Sequence, residues 1–256
     1  MYSHFEIQYQ NKSNVHSAMR NSLCLLFIVI SLSAFSQKEK PMNYRRFDER
    51  TLHFGFMLGF NTASFTAYPV EDAYAQYGLK SLVINSQPGG QVGIVSTLKL
   101  GTPIVRLRLL PTLSFQERAI EYYYTNPDPT ESFDLKTEER VNSTNLDFPL
   151  MFQFRTLRFN NFASYLLLGG QYSVDLQSQQ NASQSFIDPF IKIRKHDFQG
   201  QVGGGVEFFA AYFKFGIELK YSHGLMNSFI QDNTPSSKPI DLLYNRVWWV
   251  SFIFEG

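Results

Sequence analysis

FQGQVGGGVEFFAAYFKFGIELKY, residues 198–221, is the stretch whose reading decides the fold. Every second residue gives Phe198, Gly200, Val202, Gly204, Val206 and Phe208 on one face, with Gln199, Gln201, Gly203, Gly205 and Glu207 on the other. After Ala210 and Ala211 the alternation restarts, setting Phe213, Phe215, Ile217, Leu219 and Tyr221 against Lys214, Gly216, Glu218, Lys220 and Ser222. Strict period two means strand, because successive side chains of a pleated chain point to opposite sides. One face is aromatic and unbroken, the other charged and glycine-rich. That division suits a strand with lipid outside and a wet or salt-bridged interior.

The same alternation recurs along the chain. Leu52, Phe54, Phe56, Leu58 and Phe60 form one face of a first strand, and Val92, Ile94, Leu98 and Leu100 one face of a second. Val105, Leu107, Leu109, Leu113 and Phe115 mark a third, and Leu146, Phe148, Leu150, Phe152 and Phe154 a fourth. Ser164, Leu166, Leu168, Tyr172 and Val174 mark a fifth; the quoted hairpin supplies the sixth and seventh; Trp248, Val250, Phe252 and Phe254 mark the last. Gaps near 61–89, 118–140, 177–196 and 223–243 are long and polar, whereas those near 101–103, 155–161 and 209–212 are short. Long outer loops alternating with short periplasmic turns, on an even number of strands, are the mark of an outer-membrane barrel. We therefore expect residues 51–256 to form an all-β, eight-stranded antiparallel up-and-down transmembrane β-barrel, closed so that no strand edge meets lipid.

The totals agree. With 256 residues, 25 Phe, 14 Tyr and a mean hydropathy of −0.19, the chain has the aromatics for membrane girdles and no stack of apolar helices. A net charge of +1 gives no basic field for nucleic acid. Residues 19–36 read as a secretory signal peptide: Arg20, a short apolar run from Leu23 to Ile30, then small residues, with cleavage near Gln37. The one cysteine, Cys24, lies inside that run. Residues 1–18 read as an extension or a mis-assigned start, and 37–50 as a solvated periplasmic lead-in. The destination is the cell outer membrane.

Parity sends Lys99, Arg106, Arg108, Asp147, Glu207, Lys214, Glu218 and Lys220 into the lumen. An eight-stranded interior is just wide enough for side chains to fill, and buried charges persist there only in pairs. A salt-bridged plug is expected, with a proton or ion path as the alternative. A rival reading places acyl-transfer chemistry at the outer rim, from Ser222, His223, His196 and Asp197. Adjacent Ser222 and His223 must point to opposite faces, which weighs against it. No metal-ligand spacing and no phosphate loop stands out, so no cofactor and no metal are expected.

The run Arg46-Phe47-Asp48-Glu49-Arg50 into Leu52-His53-Phe54-Gly55-Phe56 and Leu58-Gly59-Phe60-Asn61 resembles the start of the PorT family, whose gliding counterpart is SprT. Lys220-Tyr221-Ser222-His223-Gly224-Leu225 resembles the end of its seventh strand. The resemblance implies a non-enzymatic outer-membrane component of the type IX secretion and gliding machinery, needed for cargo export and adhesin display. The expected partners are outer-membrane lipid, other secretion components and the barrel-assembly machinery, with no nucleic acid.

Overall fold

A computed structural model of the chain describes residues 42–44, 47–125, 135–178, 180 and 190–256. The signal peptide expected at 19–36, the extension before it and the first residues of the lead-in lie outside them. The elements run β1 (Leu52–Pro69), α1 (Ala73–Gln76), β2 (Leu79–Lys99), β3 (Val105–Leu109), β4 (Thr112–Tyr124), β5 (Leu135–Arg155), β6 (Phe162–Asp175), β7 (Lys192–Ile193), β8 (His196–Phe209), β9 (Lys214–Gly224), β10 (Phe229–Ile230) and β11 (Ile240–Glu255). β3 and β4 are one wall strand interrupted at Leu110 and Pro111, and both pair with β2 and β5. β1 pairs with β2 on one side and β11 on the other, so the wall closes as an antiparallel ring of eight. β7 and β10 pair with each other, apart from the wall.

Lipid sets the outward face. Phe54, Phe56, Ile94, Phe152, Leu166, Leu168, Val202, Leu219 and Trp248 are all exposed there. Neighbouring strands stack these side chains, Phe56 on Phe254 with ring centroids 4.9 Å apart and Tyr221 against Trp248 at 4.9 Å. Cross-strand aromatic pairs of this kind are the unit of sheet stabilisation.

Two of the gaps read as long loops begin and end in wall. β1 continues to Pro69 and β2 begins at Leu79; β4 continues to Tyr124 and β5 begins at Leu135. Period two persists there, but the polarity of the faces inverts. On β1 the outward set changes from Phe56, Leu58 and Phe60 to Thr62, Thr66 and Tyr68, while Ala63 and Phe65 become buried inside. On β4 Leu113 and Phe115 give way outside to Glu117 and Glu121, and Ile120 and Tyr122 turn inward. Beyond the lipid the outer face meets water, and the apolar residues change sides. Outside, Lys136 pairs with Glu121 at 2.7 Å and Arg140 with Glu117 at 2.9 Å.

The inward apolar residues gather at the outer end. Phe65, Leu79, Ile120, Tyr122, Val141, Ile240 and Leu243 pack with Ile191, Ile193 and Phe229 from the β7–β10 segment into one buried cluster. Tyr122 donates its hydroxyl to the Ser236 carbonyl at 2.7 Å.

Single cysteines in a Cys24→Ser background test the inversion. Phe56→Cys and Ile217→Cys should react only with a lipid-soluble maleimide, and Thr66→Cys and Glu138→Cys with an impermeant one added outside. Reaction of Ile217→Cys with the impermeant reagent alone would mean the wall is inverted. Ile217→Arg should lose about 2–4 kcal/mol near the bilayer midplane and impair heat-modifiable assembly on detergent gels.

Candidate functional site: the charge-lined lumen

Alternation on the closed wall sends one polar residue inward per step, and eight strands bring these into reach of one another. Arg108 of β3 lies at the centre, 1 % exposed. Its guanidinium donates to Glu218 of β9, to Thr97 Oγ1 at 3.2 Å and to Gln153 Oε1 at 3.2 Å. It stands 3.6 Å from Glu255 and 3.8 Å from Glu207, and faces the Tyr165 ring. Lys214 bridges Glu207 at 2.7 Å and Glu255. Arg155 reaches Glu207 at 2.9 Å, and Gln153 donates to Glu207 at 3.0 Å. Tyr165 donates to Glu218 at 2.6 Å, and Lys220 lies 3.6 Å from the same carboxylate. Thr97 donates to Glu255 at 2.6 Å.

Above this layer charges thin out. Ser222 accepts from the Trp249 indole at 2.9 Å, and Asp147 accepts from Ser114 at 2.7 Å. Arg118 donates to Ser143 and to Gln116, with its guanidinium over the Phe65 ring at 5.0 Å. Asn245 and Gln199 both donate to Asp197, at 2.7 and 2.9 Å.

Below the layer the lead-in closes the mouth, so the stretch read as solvated is in part buried. Phe47 is 0 % exposed, stacked on His53 with centroids 3.9 Å apart and edge-on to Phe209 at 5.7 Å. Arg106 and Lys214 lie over its ring, at 5.7 and 4.9 Å. Asp48 binds Arg155 at 2.7 Å, Arg158 at 3.3 Å and Arg106 at 3.4 Å. An aromatic ring under two cations, beside a carboxylate among three arginines, satisfies a basic mouth that the wall cannot neutralise alone.

Of the sequence-derived lumen set, Arg106, Arg108, Glu207, Lys214, Glu218 and Lys220 meet in this network, and Asp147 is buried higher up. Lys99 does not join them. Half-buried at the inner rim, it donates to the carbonyls of Asp48 and Glu49 at 3.1 and 3.3 Å. Parity assigns its face correctly, but it is the last residue of β2, where the lead-in crosses the mouth. Sequence reasoning missed Asp48, Arg118, Arg155, Tyr165 and Glu255. Arg155 and Glu255 are in phase with Gln153 and Ser251 and could have been found by carrying parity to the strand ends. Arg118 fell in a supposed loop, and Asp48 lies outside the sheet.

The acyl-transfer set is divided by the wall. Ser222 and Asp197 are buried inside; His196 faces out against the Tyr172 hydroxyl at 2.8 Å, and His223 stacks outside between Tyr221 and Tyr244. Among the described residues no group of His, Cys, Asp and Glu is arranged to hold a metal.

Removing one partner from a buried pair costs more than removing both. Glu255→Gln should therefore lose about 3 kcal/mol, measured as urea unfolding from lipid vesicles. Glu255→Gln with Lys214→Met should recover part of that loss; a double variant as unstable as the sum of the singles would show that the pair does not act as a unit.

Comparison with solved structures finds the outer membrane protein OprG of Pseudomonas aeruginosa, 12 % identical, covering 78 % of this chain and 94 % of that one with a TM-score of 0.42. It also finds the attachment invasion locus protein Ail of Yersinia pestis, solved with the heparin analogue sucrose octasulfate, at 10 % identity, 81 % and 100 % coverage and a TM-score of 0.34. Neisserial surface protein A is 10 % identical, with 78 % and 95 % coverage and a TM-score of 0.35. No match to a curated protein sequence was found. A family model described as an outer membrane protein β-barrel domain matches residues 35–230, and the chain belongs to that family of outer-membrane barrels.

Proposed function

We propose that this barrel is a sealed, non-enzymatic component of the type IX secretion and gliding machinery, acting through its surfaces and not through a pore. The observation that carries the reading is the place of the stretch behind the PorT resemblance. Phe47 to Asn61 is one continuous piece, the plug and the strand whose inner face it covers. The lumen favours a scaffold, since the described residues pack it with paired charges between an apolar outer cluster and the Phe47 plug. The separation of Ser222 from His223 by the wall favours a non-enzymatic role. In this reading the chain is exported with its signal peptide cleaved near Gln37. It is inserted by the barrel-assembly machinery and meets other secretion components at its two ends.

A structural or adhesive role is the second reading. What favours it is the outer rim, where β1, β2, β4 and β5 rise beyond the lipid and carry the Lys136, Glu138 and Arg140 charges outward.

Gene deletion separates the two. Loss from the surface of many proteins bearing the C-terminal sorting domain, with gliding lost, is the expected result. Intact export with weakened attachment or envelope integrity would replace it by the second reading. Purified protein in planar bilayers should show no steady conductance, and a stable open channel would overturn the sealed-scaffold reading.

A further inference from the structure

We propose that the periplasmic mouth is an exchangeable binding site for an extended polypeptide carrying an aromatic residue followed by a carboxylate. The chain's own Phe47 and Asp48 are its resident occupant. The site has two parts. One is a slot between His53 and Phe209, roofed by Arg106 and Lys214, which takes the ring. The other is the convergence of Arg106, Arg155 and Arg158 on one carboxylate.

Three observations make the occupant exchangeable. First, the plug is held chiefly by side chains. The backbone of Phe47 bonds to Tyr44 within the same segment, and Lys99 Nζ reaches the carbonyls of Asp48 and Glu49. Phe47 and Asp48 belong to no strand, so their withdrawal breaks no ladder of the wall. Second, Asp48 does not saturate the mouth. Nε and Nη1 of buried Arg106 and Nη2 of buried Arg155 have no hydrogen-bond partner, and the Asp48 side chain keeps 29 % of its surface exposed. Buried guanidinium donors without acceptors are costly, so a better-placed acidic partner would be favoured over Asp48. Third, the inner half of the lumen is locally cationic, since the carboxylates that balance the whole, Asp147, Asp175 and Asp197, lie with Arg118 toward the outer end. In the inner lumen Arg106, Arg108, Arg155, Lys214 and Lys220 face Glu207, Glu218 and Glu255, five cations against three carboxylates. With Asp48 withdrawn, that excess opens toward the periplasm and draws a carboxylate from another segment.

The test uses the full chain in detergent micelles and a fluorescent peptide of sequence NYRRFDERT, residues 43–51. The variant Phe47→Ala with Asp48→Ala empties the site and should bind the peptide. Wild type should bind it about tenfold more weakly, and so should the variant offered a peptide lacking the carboxylate, one charge-assisted hydrogen bond being worth that factor. Lys99→Met loosens the lead-in without touching an arginine. It should bind with intermediate affinity, which keeps the test alive if the emptied variant does not fold. Acetate should raise the melting temperature of Asp48→Ala above that in chloride of equal ionic strength. Equal binding by wild type, emptied and Lys99→Met chains would overturn the site. Stabilisation by acetate with no peptide binding would reduce it to a small-anion site and overturn the polypeptide ligand. Equal binding of a peptide with Ala in place of Phe would overturn the aromatic slot.

Discussion

At the centre of the barrel the guanidinium of Arg108, on β3, touches groups from β2, β5, β6, β8, β9 and β11. A charge removed from water must find its counter-charges inside the protein or be lost by neutralisation. That constraint accounts for much of the surrounding composition. Glu207, Glu218 and Glu255 come from three different wall strands because the centre is the one place all three can reach. Tyr165 can lie across to Glu218 because its neighbour on β8 is Gly205. A Cβ there would fall 2.5 Å from the Tyr165 hydroxyl and 2.6 Å from the Ile217 carbonyl. Gly203 and Gly205, both on the inward polar face, thus make room for the Lys220 and Tyr165 side chains.

The two closures of the lumen are built differently. At the outer end the wall strands that leave the lipid carry their apolar residues inward, where they pack with Ile191, Ile193 and Phe229 of the β7–β10 segment. That core resembles the interior of a soluble protein, and most of its residues are bound into the ladder of the wall. At the inner end the closure comes from outside the sheet, a ring and a carboxylate tied to the wall by the side chains of Lys99, Asn43, Arg158 and Asn161. Local stability follows from this difference. Segments with few ladder bonds open at lower free energy than the wall they rest on.

How far the sequence could be read follows the same physics. Lipid on one side and paired charge on the other impose alternation, so the faces of Phe215, Ile217, Glu218 and Lys220 were legible from parity alone. Beyond the lipid the alternation survives with its polarity reversed, and a search for apolar-outward strands loses it there. Phe65, Ile120 and Tyr122 are the residues it loses. Parity also names a face without naming a depth, which is how Lys99 was placed among the buried ions although it sits at the rim. Asp48 carries no periodic signal at all. Its role comes from the uneven depth of the inward charges, with cations gathered toward the inner mouth and Asp147, Asp175 and Asp197 toward the outer end, a distribution visible only once Arg155 and Glu255 are placed inside.

Those placements connect the two ends of the barrel sequence. Asp48, just before β1, binds Arg155; Arg155 binds Glu207; Glu207 binds Lys214; and Lys214 binds Glu255, at the end of β11. β1 and β11 are the strands whose pairing closes the ring. The plug and the closing seam thus share one file of alternating charges, each ion holding its neighbour's counter-charge. Removing Asp48 leaves Arg155 with Glu207 as its remaining ion-pair partner, and Glu207 is the carboxylate that Lys214 also needs. Water reaching the mouth would screen the first of these pairs and leave the Arg108 layer, deeper in the wall, largely dry. The seal and the charge network therefore depend on each other, because the plug keeps the inner pairs dry and those pairs hold the arginines that bind the plug.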